Sequence, residues 1–162
     1  MGPMQESRDD ARQTGFAIEW RDAYRIGLEE IDEEHRNLFL LVKSLSLQSI
    51  DDALEQLLHH VGTHFSHEEQ MMERSAFPEY RMHLDLHESF NAQLAEWLSS
   101  GLDWSPERVE EFRQFLNNWL ITHILGDDLR FGRWLWMRSL RRPRARQKSA
   151  KRPGWFHRLL DG

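Results

Sequence analysis

The chain has 162 residues, with 21 Lys and Arg against 27 Asp and Glu and a formal net charge of −6, which is long enough for one hydrophobic core without staples. It contains no cysteine, which excludes disulfide frameworks, thiolate zinc sites and cysteine-ligated clusters and leaves imidazole and carboxylate as the available metal ligands. No apolar run of about eighteen residues occurs, so no membrane span is expected, and a cytoplasmic location fits.

Met1-Gly2-Pro3-Met4 reads as a tag remnant, so residues 1–15 are set aside as a flexible N-terminus. Phe16, Ile18, Trp20, Tyr24 and Ile26, mixed with charges, predict an extended arm whose apolar residues anchor it to a helical body. A first helix is expected from about Asp32, a plausible N-cap with acids in the first turn, and Leu38, Phe39, Leu41, Val42 and Leu45 recur at helical spacing. A second, from about Asp51 to Ser75, should direct Leu54, Leu57, Leu58, Val61, Phe65, Met71 and Met72 inward, with Pro78 marking the next boundary.

The third helix, 79–99, carries Leu84, Leu86, Phe90, Leu94 and Leu98 and ends at Gly101. Ser105-Pro106-Glu107 starts a fourth, with a serine cap and proline at the first helical position, which runs through Val109, Phe112, Phe115, Leu116, Trp119, Leu120 and Ile124. Phe131, Trp134, Leu135, Trp136 and Leu140 either extend it or form a short aromatic helix. Four such helices with short connections define an all-α fold, an up-down-up-down four-helix bundle over residues 16–137.

Charge divides the chain. Residues 1–137 hold 12 Lys and Arg against 26 Asp and Glu, whereas the basic C-terminal tail, 138–162, holds 9 against 1. Pro143 and Pro153 interrupt any long helix there, and Trp155, Phe156, Leu159 and Leu160 make an apolar tip. A solvated tail, an anionic membrane surface, nucleic acid, or docking back on the acidic body all remain open for this segment.

Five histidines stand apart from the other four. His64 and Glu68 are four residues apart, as are His83 and His87, so each pair shares a helix face at a separation of about 6 Å. His35 and His123 sit singly on the first and fourth helices, and helices packed about 8–10 Å apart would let all these side chains meet. Burying five imidazoles with no metal would leave many polar nitrogens to satisfy. His59, His60, His67 and His157 read as ordinary hydrogen-bonded histidines.

Ile31-Asp32-Glu33-Glu34-His35, His64-Phe65-Ser66-His67-Glu68-Glu69, His83-x3-His87 and Trp119-Leu120-Ile121-Thr122-His123-Ile124 together resemble the hemerythrin family in its bacterial form, over about residues 18–132. The resemblance implies two iron ions with an oxo or hydroxo bridge. His83, His87 and His123 would hold one iron, His35 and His64 the other, and Glu68 and Asp128 would bridge them. It also implies an apolar oxygen pocket of Phe65, Trp119, Leu120 and Ile124, side chains that can equally be plain core.

Helical geometry alone does not choose the second bridging acid. Asp127 lies four residues after His123, whereas the family pattern selects Asp128, five residues on and about 140° away on an ideal helix. Gly126 between them could permit a wider local turn of the kind found at functional sites.

The implied function is reversible dioxygen binding for storage, delivery or sensing, without enzymatic turnover. The alternatives are a diiron oxidase, peroxidase or nitric-oxide-handling enzyme, or an oxygen- or redox-responsive interaction module using the basic tail. Ferritin-like oxidases build their sites mainly from glutamates with Glu-x-x-His pairs, and that motif is absent around these ligands.

Overall fold

A computed structural model describes residues 18–142. The helices are α1 (Glu29–Ser44), α2 (Ile50–Ser75), α3 (Tyr80–Ser99), α4 (Pro106–His123) and α5 (Leu129–Arg141). A π-helical turn, Ile124–Asp128, joins α4 to α5, so these two form the fourth rod of an up-down-up-down four-helix bundle. Helix α1 packs on α2 and α4, and α2 packs on α3. The ring closes through aromatic contacts between α3 and α4, including Phe90 with Trp119 at 4.0 Å between ring centroids.

Each apolar face supplies part of one core. Leu38, Phe39 and Val42 of α1 meet Leu54, Leu57 and Phe65 of α2, Phe90 and Leu94 of α3, and Phe112, Leu116 and Leu120 of α4. Burying each such side chain stabilises the fold by about 1.5–3 kcal/mol before chain entropy is counted. Two residues expected inside, Leu58 and Leu98, are exposed instead, because the inward stripes of α2 and α3 are narrower than their apolar content. Met71, Leu84 and Leu86 are half-buried on the stripe edges.

The helix ends follow local chemistry. Ser105 Oγ accepts the Arg108 N–H at 3.1 Å and Pro106 occupies the first helical position, as the sequence predicts. Helix α2 ends in a Schellman arrangement, with the Phe77 N–H bonded to the Met72 carbonyl and the Ala76 N–H to that of Glu73, both at 3.0 Å. That geometry puts Ala76 at φ +57°, a left-handed conformation that costs a residue with a Cβ. Arg142 turns extended just before Pro143, whose ring disfavours helix in the preceding residue.

Asp32 departs from expectation. Helix α1 begins at Glu29, and the Asp32 N–H already bonds to the Leu28 carbonyl, so Asp32 is inside the helix and is not its cap. Its buried carboxylate accepts the backbone N–H groups of Ile26 at 2.7 Å and Gly27 at 3.3 Å. It therefore fastens the arm to the bundle, an arrangement that an acid in the first turn equally suits. The arm packs as expected: Ile18 and Ile26 are buried, and Trp20 and Tyr24 lie against Phe39. Phe16 and the apolar tip of the tail lie outside the described residues. Among the described residues, no helix is long and apolar enough to cross a membrane.

The arm also touches α5. Gly132 meets the arm backbone so closely that a Cβ built on it would lie 2.2 Å from the Ile26 carbonyl oxygen. Glycine is required there by close approach of two backbones.

Candidate metal centre

His35, His64, Glu68, His83, His87, His123 and Asp128 come from α1, α2, α3 and the fourth rod, and all seven are buried. The i,i+4 spacings on α2 and α3 aim each pair inward from one face. Two overlapping donor groups result, Glu68 with His83, His87 and His123, and His35 with His64, Glu68 and Asp128. Within each, the potential ligand atoms lie within 4.8 Å of one another.

Both carboxylates straddle the two groups. Glu68 Oε2 is 3.5 Å from the Nε2 atoms of His64, His83 and His87. Asp128 Oδ1 is 2.9 Å from His123 Nε2 and 3.2 Å from His83 Nε2, while its Oδ2 is 3.0 Å from His35 Nε2. The chain thus offers three imidazoles on one side, two on the other, and two acids shared between them.

The π turn decides which acid faces inward. The Leu129 N–H reaches back five residues to the Ile124 carbonyl, widening the turn so that Asp128 is fully buried. Asp127 stays at the rim, with Oδ2 3.3 Å from His123 Nδ1. Gly126 is not the cause: it is exposed, its φ is not positive, and a Cβ there would meet nothing within 4 Å.

The polar atoms converge on a common interior. Both oxygens of Glu68, both of Asp128 and His83 Nε2 are buried without an aligned hydrogen-bond partner. Nε2 atoms face each other at 3.1 Å for His35 and His64 and at 3.0 Å for His87 and His123. Buried polar groups are rarely left so, and cations between them would satisfy the whole set. Imidazole and carboxylate donors suit iron, manganese or zinc.

An outer layer of carboxylates orients the rings. Burial raises the Glu34 pKa but its contacts with His64 and His67 outweigh that and hold it below the ordinary value, so the carboxylate accepts. His64 Nδ1 donates to Glu34 at 2.7 Å, and His87 Nδ1 lies 2.8 Å from Glu69. A proton held on Nδ1 leaves the Nε2 lone pair directed inward. His67, expected to be an ordinary histidine, shares Glu34 through its Nδ1 at 2.5 Å. Sequence reasoning missed Glu34 and Glu69 in this role. Their signal was adjacency: an acid one residue from an inward donor is rotated about 100°, which puts it at the flank where it can reach a neighbouring ring.

Without a cation, the two carboxylates favour protons on the His83 and His123 rings. Burial depresses His83 and His123, but the Asp128 and Glu68 carboxylates outweigh it and raise them to about 9 and about 10. Burial likewise raises Asp128, yet the surrounding imidazoles pull it well below the usual carboxylate range. Glu68 is lowered for the same reason, against both its burial and the charge of Asp128.

Aromatic rings wall the three-histidine side. Phe65 stacks on His87 at 3.7 Å between centroids, and Trp119 on His123 at 4.4 Å. Leu120 and Ile124 are buried in the adjoining core. His59 and His60 lie exposed on α2, and His157 lies outside the described residues.

A four-helix bundle that converges five buried imidazoles and two shared carboxylates is a metal-binding protein of the histidine–carboxylate type. Comparison with known proteins narrows the class. Residues 26–135 match the family model described as the hemerythrin HHE cation binding domain. The chain is 31% identical over 119 residues to a bacteriohemerythrin of Stenotrophomonas maltophilia, covering 67% of this chain and 75% of that protein. It is 29% identical over 114 residues to a myohemerythrin of Theromyzon tessulatum, covering 70% and 89% respectively. A hemerythrin-like protein of Naegleria gruberi is similar at 29% identity, over 69% and 88%. The chain belongs to the hemerythrin family.

Proposed function

We propose that the chain binds dioxygen reversibly at a pair of iron ions held by His35, His64, Glu68, His83, His87, His123 and Asp128. The observation that carries this reading is the shared position of the two carboxylates between a three-histidine and a two-histidine group. With both acids bridging, the two-histidine side has one donor fewer, an asymmetry suited to admitting a small exogenous ligand. Two ferrous ions bound there would supply the electrons and the open coordination position that reversible dioxygen binding requires.

The chain's residues do the rest. Glu34 and Glu69 fix the His64 and His87 rings with their Nε2 lone pairs inward. Asp127 does the same for His123 from the rim. Phe65, Trp119, Leu120 and Ile124 form an apolar wall that keeps water and protons from the interior, which protects an oxygenated state from oxidation. No side chain is required to act as a general acid or base.

The test is an anaerobic optical titration of the iron(II)-loaded protein with oxygen, followed by argon flushing. A visible charge-transfer band that grows with oxygen and fades on flushing is the expected result. Irreversible conversion to a stable ferric spectrum with consumption of reductant would overturn reversible binding and assign an oxidase instead.

A further inference from the structure

We propose that the exposed face of α5 docks on an anionic lipid bilayer. From Trp136 onward every described residue is exposed, although the helix continues to Arg141. Trp136 and Leu140 are each 64% exposed and Met137 is 50% exposed, an unusual outlay of large apolar side chains at the end of a bundle. At 3.6 residues per turn, Arg133, Trp136, Met137, Leu140 and Arg141 span an arc of about 140°. Neither arginine has an ion pair among the described residues. Beside this face, a groove of about 420 Å³ runs between α5 and Ile26–Leu28 of the arm, with Trp136 on its lip.

Large apolar side chains interleaved with arginine are the make-up of a helix lying in a bilayer interface, where tryptophan sits at headgroup level and arginine meets phosphate. The charge distribution favours an anionic surface and sets the orientation. Residues 129–142, which make up α5 and its C-terminal cap, carry 5 basic side chains and no acidic one, while residues 18–128 carry 23 acidic against 8 basic. An anionic bilayer therefore attracts the α5 end and repels the rest of the bundle. A nucleic-acid surface would exploit the same charge but would leave Met137 and Leu140 in water, since its contacts are mainly to phosphate and base edges. The metal centre takes no part in this docking.

The experiment is flotation of the full chain with vesicles of phosphatidylcholine, with and without an equal part of phosphatidylglycerol, at about 0.1 M salt, where the Debye length is about 10 Å. Binding is expected only to the phosphatidylglycerol vesicles and should weaken as salt is raised. The double variant Trp136→Ser/Leu140→Ser, with unchanged far-ultraviolet circular dichroism, should bind them about tenfold more weakly because the apolar anchor is gone. Three results would overturn the proposal: no binding to the anionic vesicles, equal binding by the double variant, or tighter binding to a DNA duplex at matched phosphate concentration.

Discussion

Two glycines on the fourth rod, six residues apart, should respond oppositely to the same substitution. At Gly132 an alanine Cβ would stand 2.2 Å from the Ile26 carbonyl oxygen, with the Ile26 carbonyl carbon at 3.2 Å and its Cβ at 3.3 Å. An unstrained C···O contact is about 3.3 Å or longer, so α5 and the arm must separate by roughly 1 Å. Both partners are backbone, so no side-chain rotation relieves the clash. Overpacking of this kind costs about 3 kcal/mol at the upper end of its usual range, and the gain in helix propensity over glycine returns about 1 kcal/mol. The net loss of about 2 kcal/mol should lower the Tm by roughly 4–8 °C in a chain of this length. Gly126→Ala meets nothing within 4 Å and keeps the propensity gain of about 1 kcal/mol, so its Tm should rise by roughly 2–4 °C. Gly132 is one turn beyond Asp128, and displacing α5 should also reduce metal retention in Gly132→Ala alone. Calorimetry of the two variants beside the parent, with bound metal counted by atomic emission, tests both. If Gly132→Ala were as stable as the parent, or if Gly126→Ala lost stability through collapse of the π turn, the packing argument would be wrong.

Glu34→Ala removes the acceptor for both His64 Nδ1 and His67 Nδ1, and metal affinity should fall about 10- to 100-fold in a chelator competition, with little change in helicity. In the metal-free protein, His83 and His123 have folded pKa values of about 9 and about 10 against an ordinary 6.5, so their stabilisation is complete below pH 6.5 and is lost as pH rises through 9 to 10. Glu68 and Asp128 are lowered, so their contribution is present above the ordinary carboxylate range and is lost as pH falls through their folded values. Urea midpoints of chelator-treated protein should therefore peak between about pH 5 and 6.5 and decline on the alkaline side, a decline that metal loading should suppress because cations replace the protons. A midpoint that rose steadily from pH 6.5 to 10 would contradict this. Ala76→Gly relieves the left-handed conformation at the end of α2 and should stabilise the fold by about 1 kcal/mol, read as a higher urea midpoint at unchanged slope.

The elements that local chemistry fixes were legible without coordinates. Apolar residues at helical spacing, the Ser105-Pro106 start and Gly101 at the end of α3 mark a four-helix bundle, because caps and amphipathic stripes are properties of consecutive residues. The histidine spacings likewise mark which side chains share a face. Tertiary structure alone decided what no local rule covers. Asp32 has the chemistry of a cap, yet the approach of the arm turns it into a clasp for Ile26 and Gly27. Leu58 and Leu98 carry the same side chain as the core leucines, and only the width of each helix contact leaves them outside. Glu34 and Glu69 gain their roles from rings on other helices, and Asp128 gains its place from a turn one residue too wide for an ideal helix. Spacing along a chain fixes direction within one helix. Distances between helices, and the partners they create, depend on how all four pack at once.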